Sequence, residues 1–401
     1  MEVGHRKGVL QRTVAVVVGT RPEAIKMAPV IDALKNQSDL ATVVISTAQH
    51  RQMLDQVLSL FRIVPDVDLD LMAGNQDLAG LTARVLTRMR DVLAEIGPDL
   101  VLVQGDTTTV LAASLAAFYA QIPVAHVEAG LRSRDLRNPF PEEMNRKVAS
   151  VMAAIHFAPT EGARRELLKE SVAPDRVVVT GNTVVDALHR VLQWPSSEDA
   201  EPAGGLAALD GRLMLVTSHR RESFGRDLEN ICLALRELVS RFDDLHIVYP
   251  VHLNPQVRGT VMPLLADVGR IHLIDPLDYL SFVNLMRRST LILTDSGGVQ
   301  EEAPTLGKPL LVMRAVTERP EAFELGLSRV IGTSREAIVA AVTRLLTDSQ
   351  AYRSMTSDIN PYGDGRAAGR IATVVRRWCQ GERAPWLEPA EQFSVEATLV
   401  A

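Results

Sequence analysis

Acidic residues follow the ends of three apolar stretches in the first half of the chain. Asp106 closes VQGD, Glu128 closes AHVEAG, and Glu142 with Glu143 stands in PFPEEMNRK. A strand end opening into a loop is where an α/β sheet places its working groups. Taken singly, each acid has a simpler reading. Asp106 before Thr107-Thr108-Thr109 predicts a helix N-cap, and Glu142 after Pro141 a favourable first-turn acid. Taken together on one cleft edge, crowded carboxylates push one another's pKa values apart, which suits proton removal from carbon and its return.

The second half offers complementary chemistry. In TSHRRESFG, His219, Arg220 and Arg221 form a cationic cluster that could neutralise a departing pyrophosphate, with His219 as proton donor. TDSGGVQEEAPTLGKPLLV, Thr294 to Val312, reads as a strand delivered to a helix N-terminus. Gly297 and Gly298 would let backbone N–H groups approach an anion, and Glu302 lies about one turn into the helix, placed for a ribose diol. Near the start, GTRPEAIKMAPV sets Arg21 and Lys26 at another helix start with Pro22. Neither GxGxxG nor GxxxxGK[ST] follows that first apolar run, so dinucleotide and P-loop fingerprints are excluded. His252 in YPVHLNP also follows a strand. No His, Cys, Asp or Glu pair has a convincing zinc spacing, and no metal is expected.

The elements that must position these groups are short β-branched runs alternating with helical stretches. Strands are expected at 14–18, 42–46, 100–103, 124–127, 154–158 and 176–179, then at 213–216, 246–249, 272–274, 291–293, 309–312 and 330–331. Such alternation means parallel sheets with both faces covered. At 401 residues, with 46% hydrophobic but only 4% aromatic composition, the chain suits two such domains better than an aromatic-rich all-β fold. The predicted class is α/β, two Rossmann-like doubly wound domains facing a central cleft. The expected boundaries are 1–187, rejoined by a final helix at about 365–381, and 188–364, with a tail at 382–401 that forms no core. WPSSEDAEPAGG supplies the surface loop near the junction.

A net charge of −6 leaves no basic footprint for nucleic acid, and no stretch approaches 18 apolar residues, so no membrane span is expected. The basic start lacks a signal-peptide apolar region, and Cys232 and Cys379 fit no disulfide framework. The expectation is a soluble cytoplasmic protein.

GTRPEAIKMAPV, TAQHRQMLDQVL, VQGDTTTVLAASLAAFY, AHVEAGLRS, PFPEEMNRK, GNTVVDAL, TSHRRESFG, YPVHLNP, DSGGVQEEAPTLGKP and TERPEA together resemble the non-hydrolysing UDP-N-acetylglucosamine 2-epimerases, in the family's order from about Ala15 to about Arg370. The resemblance implies a GT-B fold, a homodimer, no cofactor, and interconversion of UDP-GlcNAc and UDP-ManNAc. It implies loss of UDP from C1 and of the proton from C2 to give 2-acetamidoglucal, then re-addition after protonation of the opposite face. Asp106, Glu128 and Glu142 match the family's catalytic carboxylates, and His219 the residue acting on departing UDP. Arg21, Lys26, Arg220, Ser296, Gly297, Gly298 and Glu302 match substrate and UDP contacts. Gln49, Gln52 and His252, with Arg220, match a second UDP-GlcNAc site that activates bacterial members. Two departures stand out: Asn75 where some regulated members have arginine, and Arg314-Ala315-Val316-Thr317 where the family has Arg-Asp-Thr-Thr. The competing readings are a hydrolysing relative that releases UDP and ManNAc, a GT-B glycosyltransferase, and an inactive sugar-nucleotide sensor.

Overall fold

The computed structural model describes residues 11–48, 51–71, 77–194, 209–220, 223–315, 317–357 and 359–395. The chain divides into two compact units, Met1–Ala187 with Gly363–Ala397, and Leu188–Tyr362 with Thr398–Ala401.

In the first unit the strands are β1 (Arg12–Val18), β2 (Leu40–Ser46), β3 (Val67–Asp68), β4 (Leu100–Gln104), β5 (Val124–Val127), β6 (Ala153–Ala158) and β7 (Val177–Val179). They form one sheet in the order β3-β2-β1-β4-β5-β6-β7, every pair parallel. Val14 to Val18 and Leu100 to Val103 are almost completely buried, as parallel strands covered on both faces must be. Helices α1 (Arg21–Lys35), α2 (Arg51–Leu60), α3 (Leu78–Ile96), α4 (Thr108–Tyr119), α5 (Glu142–Met152) and α6 (Glu161–Lys169) provide the crossovers, and α7 (Thr183–Leu192) follows β7 and carries the chain into the second unit. The sheet order reverses between β1 and β4. Such a reversal is where an open α/β sheet places its binding loops, at the strands' carboxyl ends.

The second unit repeats the plan. Its strands β8 (Arg212–Thr217), β9 (Leu245–Pro250), β10 (Ile271–Ile274), β11 (Leu291–Thr294), β12 (Leu310–Val312) and β13 (Ser328–Val330) run in the order β10-β9-β8-β11-β12-β13, again all parallel. Helices α8 (Arg226–Arg241), α9 (Pro255–Leu265), α10 (Tyr279–Arg288), α11 (Gly297–Glu302) and α12 (Pro320–Glu324) connect them, and α13 (Arg335–Thr347) and α14 (Ser349–Ser354) follow β13. The reversal here falls between β8 and β11, where Thr217 pairs with Thr294. After α14, α15 (Ala367–Cys379) packs on α1 of the first unit. Its first N–H groups, from Ala367 and Ala368, are received by the buried Asp186 carboxylate at 3.2 and 2.8 Å.

Two expectations need correction. The chain beyond Glu382 does contribute to a core. Trp386, Leu387 and Phe393 are buried, and Phe393 N–H donates to the Val179 carbonyl at 2.9 Å, covering the β7 edge. Its Pro-interrupted sequence has no periodicity, yet three large apolar side chains suffice to anchor it. The cap of α4 is Thr107, whose hydroxyl accepts from Val110 N–H at 3.3 Å, leaving the Asp106 side chain outside the helix. Cys232 and Cys379 are both free and buried.

Candidate active site

In the first unit the switch point brings together the loops after β1 and β4. The loop after β1 folds over Gly19, where an added Cβ would lie 2.3 Å from the Thr47 hydroxyl and 2.4 Å from that of Thr109. No larger residue fits. Glu23, in the first turn of α1, turns back to accept from the N–H groups of Gly19 and Thr20 at 2.6 and 3.1 Å, and from the Thr107 hydroxyl. One carboxylate thereby ties together both loops. Burial pushes it up to about 7 despite the hydrogen bonds from Thr107, Gly19 and Thr20, and the charge of Asp106 adds to the rise.

Asp106 itself is ion-paired with Arg146 of α5, and its carbonyl accepts from Asn145 Nδ2 at 2.9 Å. Arg146 also meets Glu143 at 3.1 Å. Glu143 is wholly buried and accepts from the N–H groups of Ser133 and Arg134, both at 3.0 Å, so it holds the loop before α5. Glu142 begins the same helix and is half-buried, one turn before Arg146. Behind Asp106, His126 donates from Nε2 to the Gly105 carbonyl at 2.7 Å. Burial lowers its pKa to about 4, so the ring is a neutral support.

Glu128 follows β5 with φ +64°, in the left-handed region that costs a side-chain-bearing residue on the order of 1–2 kcal/mol. The conformation places its carboxylate against Lys26 Nζ at 2.5 Å and Gln104 Nε2 at 2.6 Å. Lys26 and Glu128 side chains are each less than a tenth exposed. Asp106 and Glu128 each face a buried cation.

In the second unit the switch point joins the ends of β8 and β11. Asp295, fully buried, takes three donors on Oδ2: the Ser218 hydroxyl at 3.1 Å and the N–H groups of His219 and Arg220 at 2.9 and 3.0 Å. Its Oδ1 lies 3.4 Å from His219 Nδ1. The His219 ring stacks near-parallel on His252, with centroids 5.7 Å apart.

Beside it lies a buried ionic cluster. Arg319 meets Glu301 at 2.6 Å and Glu318 at 2.7 Å, Arg314 meets Glu318 at 2.6 Å, and Arg220 approaches Glu318 at 3.5 Å. Burial alone would raise Glu318, but the charges of Arg319, Arg220 and Arg314 hold it well below the usual carboxylate range. Three guanidinium groups and two carboxylates thus share one buried network.

Ser296 caps α11, and Gly297 packs under this cluster. A Cβ at Gly297 would lie 2.7 Å from the Arg319 guanidinium, whereas at Gly298 the nearest atom is 4.0 Å away. Gly297 is thus required by Arg319, a reason distinct from close approach of an anion. Glu302 is buried and its Oε1 accepts from the Tyr279 hydroxyl at 2.6 Å.

Against this geometry, the family model described as UDP-N-acetylglucosamine 2-epimerase matches residues 32–376. The chain belongs to the UDP-N-acetylglucosamine 2-epimerase family. It is 54% identical over 368 residues to the UDP-N-acetylglucosamine 2-epimerase of Escherichia coli K12, covering 90% of this chain and 98% of that protein. Identity to the Yersinia pestis UDP-N-acetylglucosamine 2-epimerase is 54% over 369 residues, covering 90% and 98%. The crystal structure of the Neisseria meningitidis UDP-GlcNAc 2-epimerase bound to UDP-GlcNAc matches with a TM-score of 0.88 at 47% identity, covering 91% of this chain and 100% of that one. The two parallel α/β sheets are those of a GT-B-like fold.

Within this family member, Arg21 opens α1 and Lys26 lies one turn further on. Gln49, Asn75, Arg221 and Val316 lie outside the described residues, as does the side chain of Gln52 on α2. His252, matched to an activator site, is in ring contact with His219, matched to the reaction itself. Glu23, Arg146, Tyr279, Asp295, Glu318 and Arg319 were not singled out by sequence. For Glu23 a signal exists, since Thr20-x-x-Glu23 has capping-box spacing. No helix among the described residues is long and apolar enough to cross a membrane.

Proposed function

We propose that this chain interconverts UDP-GlcNAc and UDP-ManNAc by reversible elimination without hydrolysis. The observation that carries the reading is the set of strand-end carboxylates, Asp106 on Arg146 and Glu128 on Lys26, in a chain 54% identical along its length to a bacterial 2-epimerase.

The C2 proton of the sugar is not adjacent to a carbonyl, so its direct removal is too costly. Breaking the C1–O bond to UDP while a carboxylate takes the C2 proton gives 2-acetamidoglucal and UDP. Return of a proton to the other face of C2, with re-formation of the C1–O bond, gives the epimer. Asp106, Glu128 and Glu142 supply the acid–base groups, Arg21 and Lys26 flank them, and His219 with Arg220 meets the negative charge on departing UDP. Ser296, Gly297 and Gly298 receive the diphosphate beside the cationic cluster, and Glu302, oriented by Tyr279, binds the ribose. The same reading carries a homodimer in the cytoplasm and a second UDP-GlcNAc bound near His252 as activator.

The test is incubation with UDP-GlcNAc in D₂O followed by proton NMR. UDP-ManNAc carrying deuterium at C2 is the expected product. Free ManNAc with UDP would move the chain to the hydrolysing enzymes, and absence of exchange would refute elimination on this sugar nucleotide.

A further inference from the structure

We propose that Asp295 is a positioning residue that fixes the tautomer and orientation of His219. The proposal rests on the reading of His219 as the group that meets departing UDP.

Asp295 stands at the first position after β11, across the switch point from the loop that carries His219. Its two oxygens do different work. Oδ2 is saturated by the Ser218 hydroxyl and the N–H groups of His219 and Arg220, which fixes the backbone of that loop. Oδ1 is buried and takes no hydrogen bond, with His219 Nδ1 at 3.4 Å. A buried carboxylate oxygen left without a donor is costly. A proton on Nδ1 directed at Oδ1 satisfies it. The gap exceeds that of a formed hydrogen bond, and catalytic pairs without ligand are commonly long and tighten in the complex.

His252 constrains the same ring by stacking. Its Nδ1 accepts the Asn254 N–H at 3.1 Å, so its own ring proton sits on Nε2. Burial, then the neighbouring His219, lowers its pKa, so a neutral ring lies flat on His219 and limits its rotation. With Nδ1–H committed to Asp295, the doubly protonated His219 gives its Nε2 proton to a phosphate oxygen of UDP as the C1–O bond breaks, which leaves the neutral Nδ1–H ring, and Nε2 takes that proton back as the bond re-forms. This is the division of labour of a buried acid that orients a histidine without itself taking the proton.

The test combines a spectrum with a double-mutant cycle. In ¹⁵N-histidine-labelled wild type, the ring shifts of the neutral His219 should report the proton on Nδ1. In Asp295→Asn the amide keeps an oxygen for the backbone donors but presents N–H to Nδ1, so the proton should move to Nε2. That variant should lose about tenfold or more in kcat, with KM for UDP-GlcNAc changed by less than about threefold. In a His219→Asn background the same substitution should cost less than about twofold. An equal loss in both backgrounds, or a wild-type proton found on Nε2, overturns the proposal. If His219→Asn alone turns over at the wild-type rate, the reading of His219 fails, while the tautomer measurement still decides the role of Asp295. Should Asp295→Asn not fold, the wild-type spectrum decides alone.

Discussion

Glu23→Gln tests whether the carboxylate joining the two loops carries a penalty for its charge. Raising a carboxyl from 4.5 to about 7 costs its ionised form about 3 kcal/mol. The sign follows from linkage. Below about pH 4.5 Glu23 is protonated in the folded and unfolded chain alike, and no penalty exists. Between 4.5 and 7 the unfolded chain has released the proton and the folded chain has not, so stability falls as pH rises. Above 7 the whole penalty is present. A glutamine stays neutral, still offers an oxygen to the N–H groups of Gly19 and Thr20, and can donate to the Thr107 hydroxyl. The stability of the variant relative to wild type should therefore rise by about 3 kcal/mol between pH 4.5 and 8, or about 6–12 °C in Tm for a unit of this size. Trp378 and Trp386 both belong to the first unit, so urea unfolding followed by fluorescence in a Trp194→Phe background isolates it. A constant difference between variant and wild type across that pH range would refute the reasoning.

Asp106→Asn should reduce epimerisation by at least about 10³-fold, as loss of an essential acid–base group does, while calorimetry shows UDP affinity within about threefold of wild type. Gly297→Ala should weaken UDP binding about tenfold, because the new methyl meets a guanidinium pinned by Glu301 and Glu318, a clash of roughly 1–3 kcal/mol. Gly298→Ala, facing open space, should bind UDP almost as wild type does, and equal losses in the two variants would contradict the packing argument. Tyr279→Phe removes the hydroxyl that orients Glu302 and should raise the Kd for UDP about tenfold or more, the worth of one hydrogen bond to a charged group. An unchanged Kd would place Glu302 outside the ribose contact.

Strands were legible where burial on both faces demanded an unbroken apolar run, as at Val14–Val18 and Leu291–Leu293. β3 was not, because Val67–Asp68 offers only two residues and one of them is charged. The positions of the strand-end acids were legible for the same topological reason, since a βα loop at a switch point is where polar groups can gather. Their partners were not. Lys26 meets Glu128 across 102 residues, Arg146 meets Asp106 across 40 and Asp295 meets His219 across 76, and no local spacing encodes such pairings. Glu142 and Glu143 are adjacent and chemically alike, yet helix geometry turns Glu143 wholly inward to brace a loop and leaves Glu142 half-buried.

The places where sequence reasoning stopped share a physical character. Glu128 holds a left-handed backbone without being glycine, Glu23 is a buried acid pushed up to about 7, and Asp295 keeps an oxygen buried without a hydrogen bond. Each breaks a local rule, and each lies at or beside a strand's carboxyl end. Local violations on the order of 1–3 kcal/mol persist only where surrounding structure over-determines them. Here β1, β4 and β5 on one side, and β8 and β11 on the other, are close-packed and hydrogen-bonded along their length, which supplies that constraint. The buried sheets thus hold reactive groups in conformations and charge states that their own sequences disfavour. Relieving such a site should follow a distinct pattern: a substitution that removes the strain or the buried charge stabilises its unit while slowing the reaction. Glu23→Gln, more stable at alkaline pH yet altered in the support of Asp106, should show both effects in one variant. If it gains stability with turnover unchanged, the carboxylate serves only to join the loops, and its charge has no part in the chemistry.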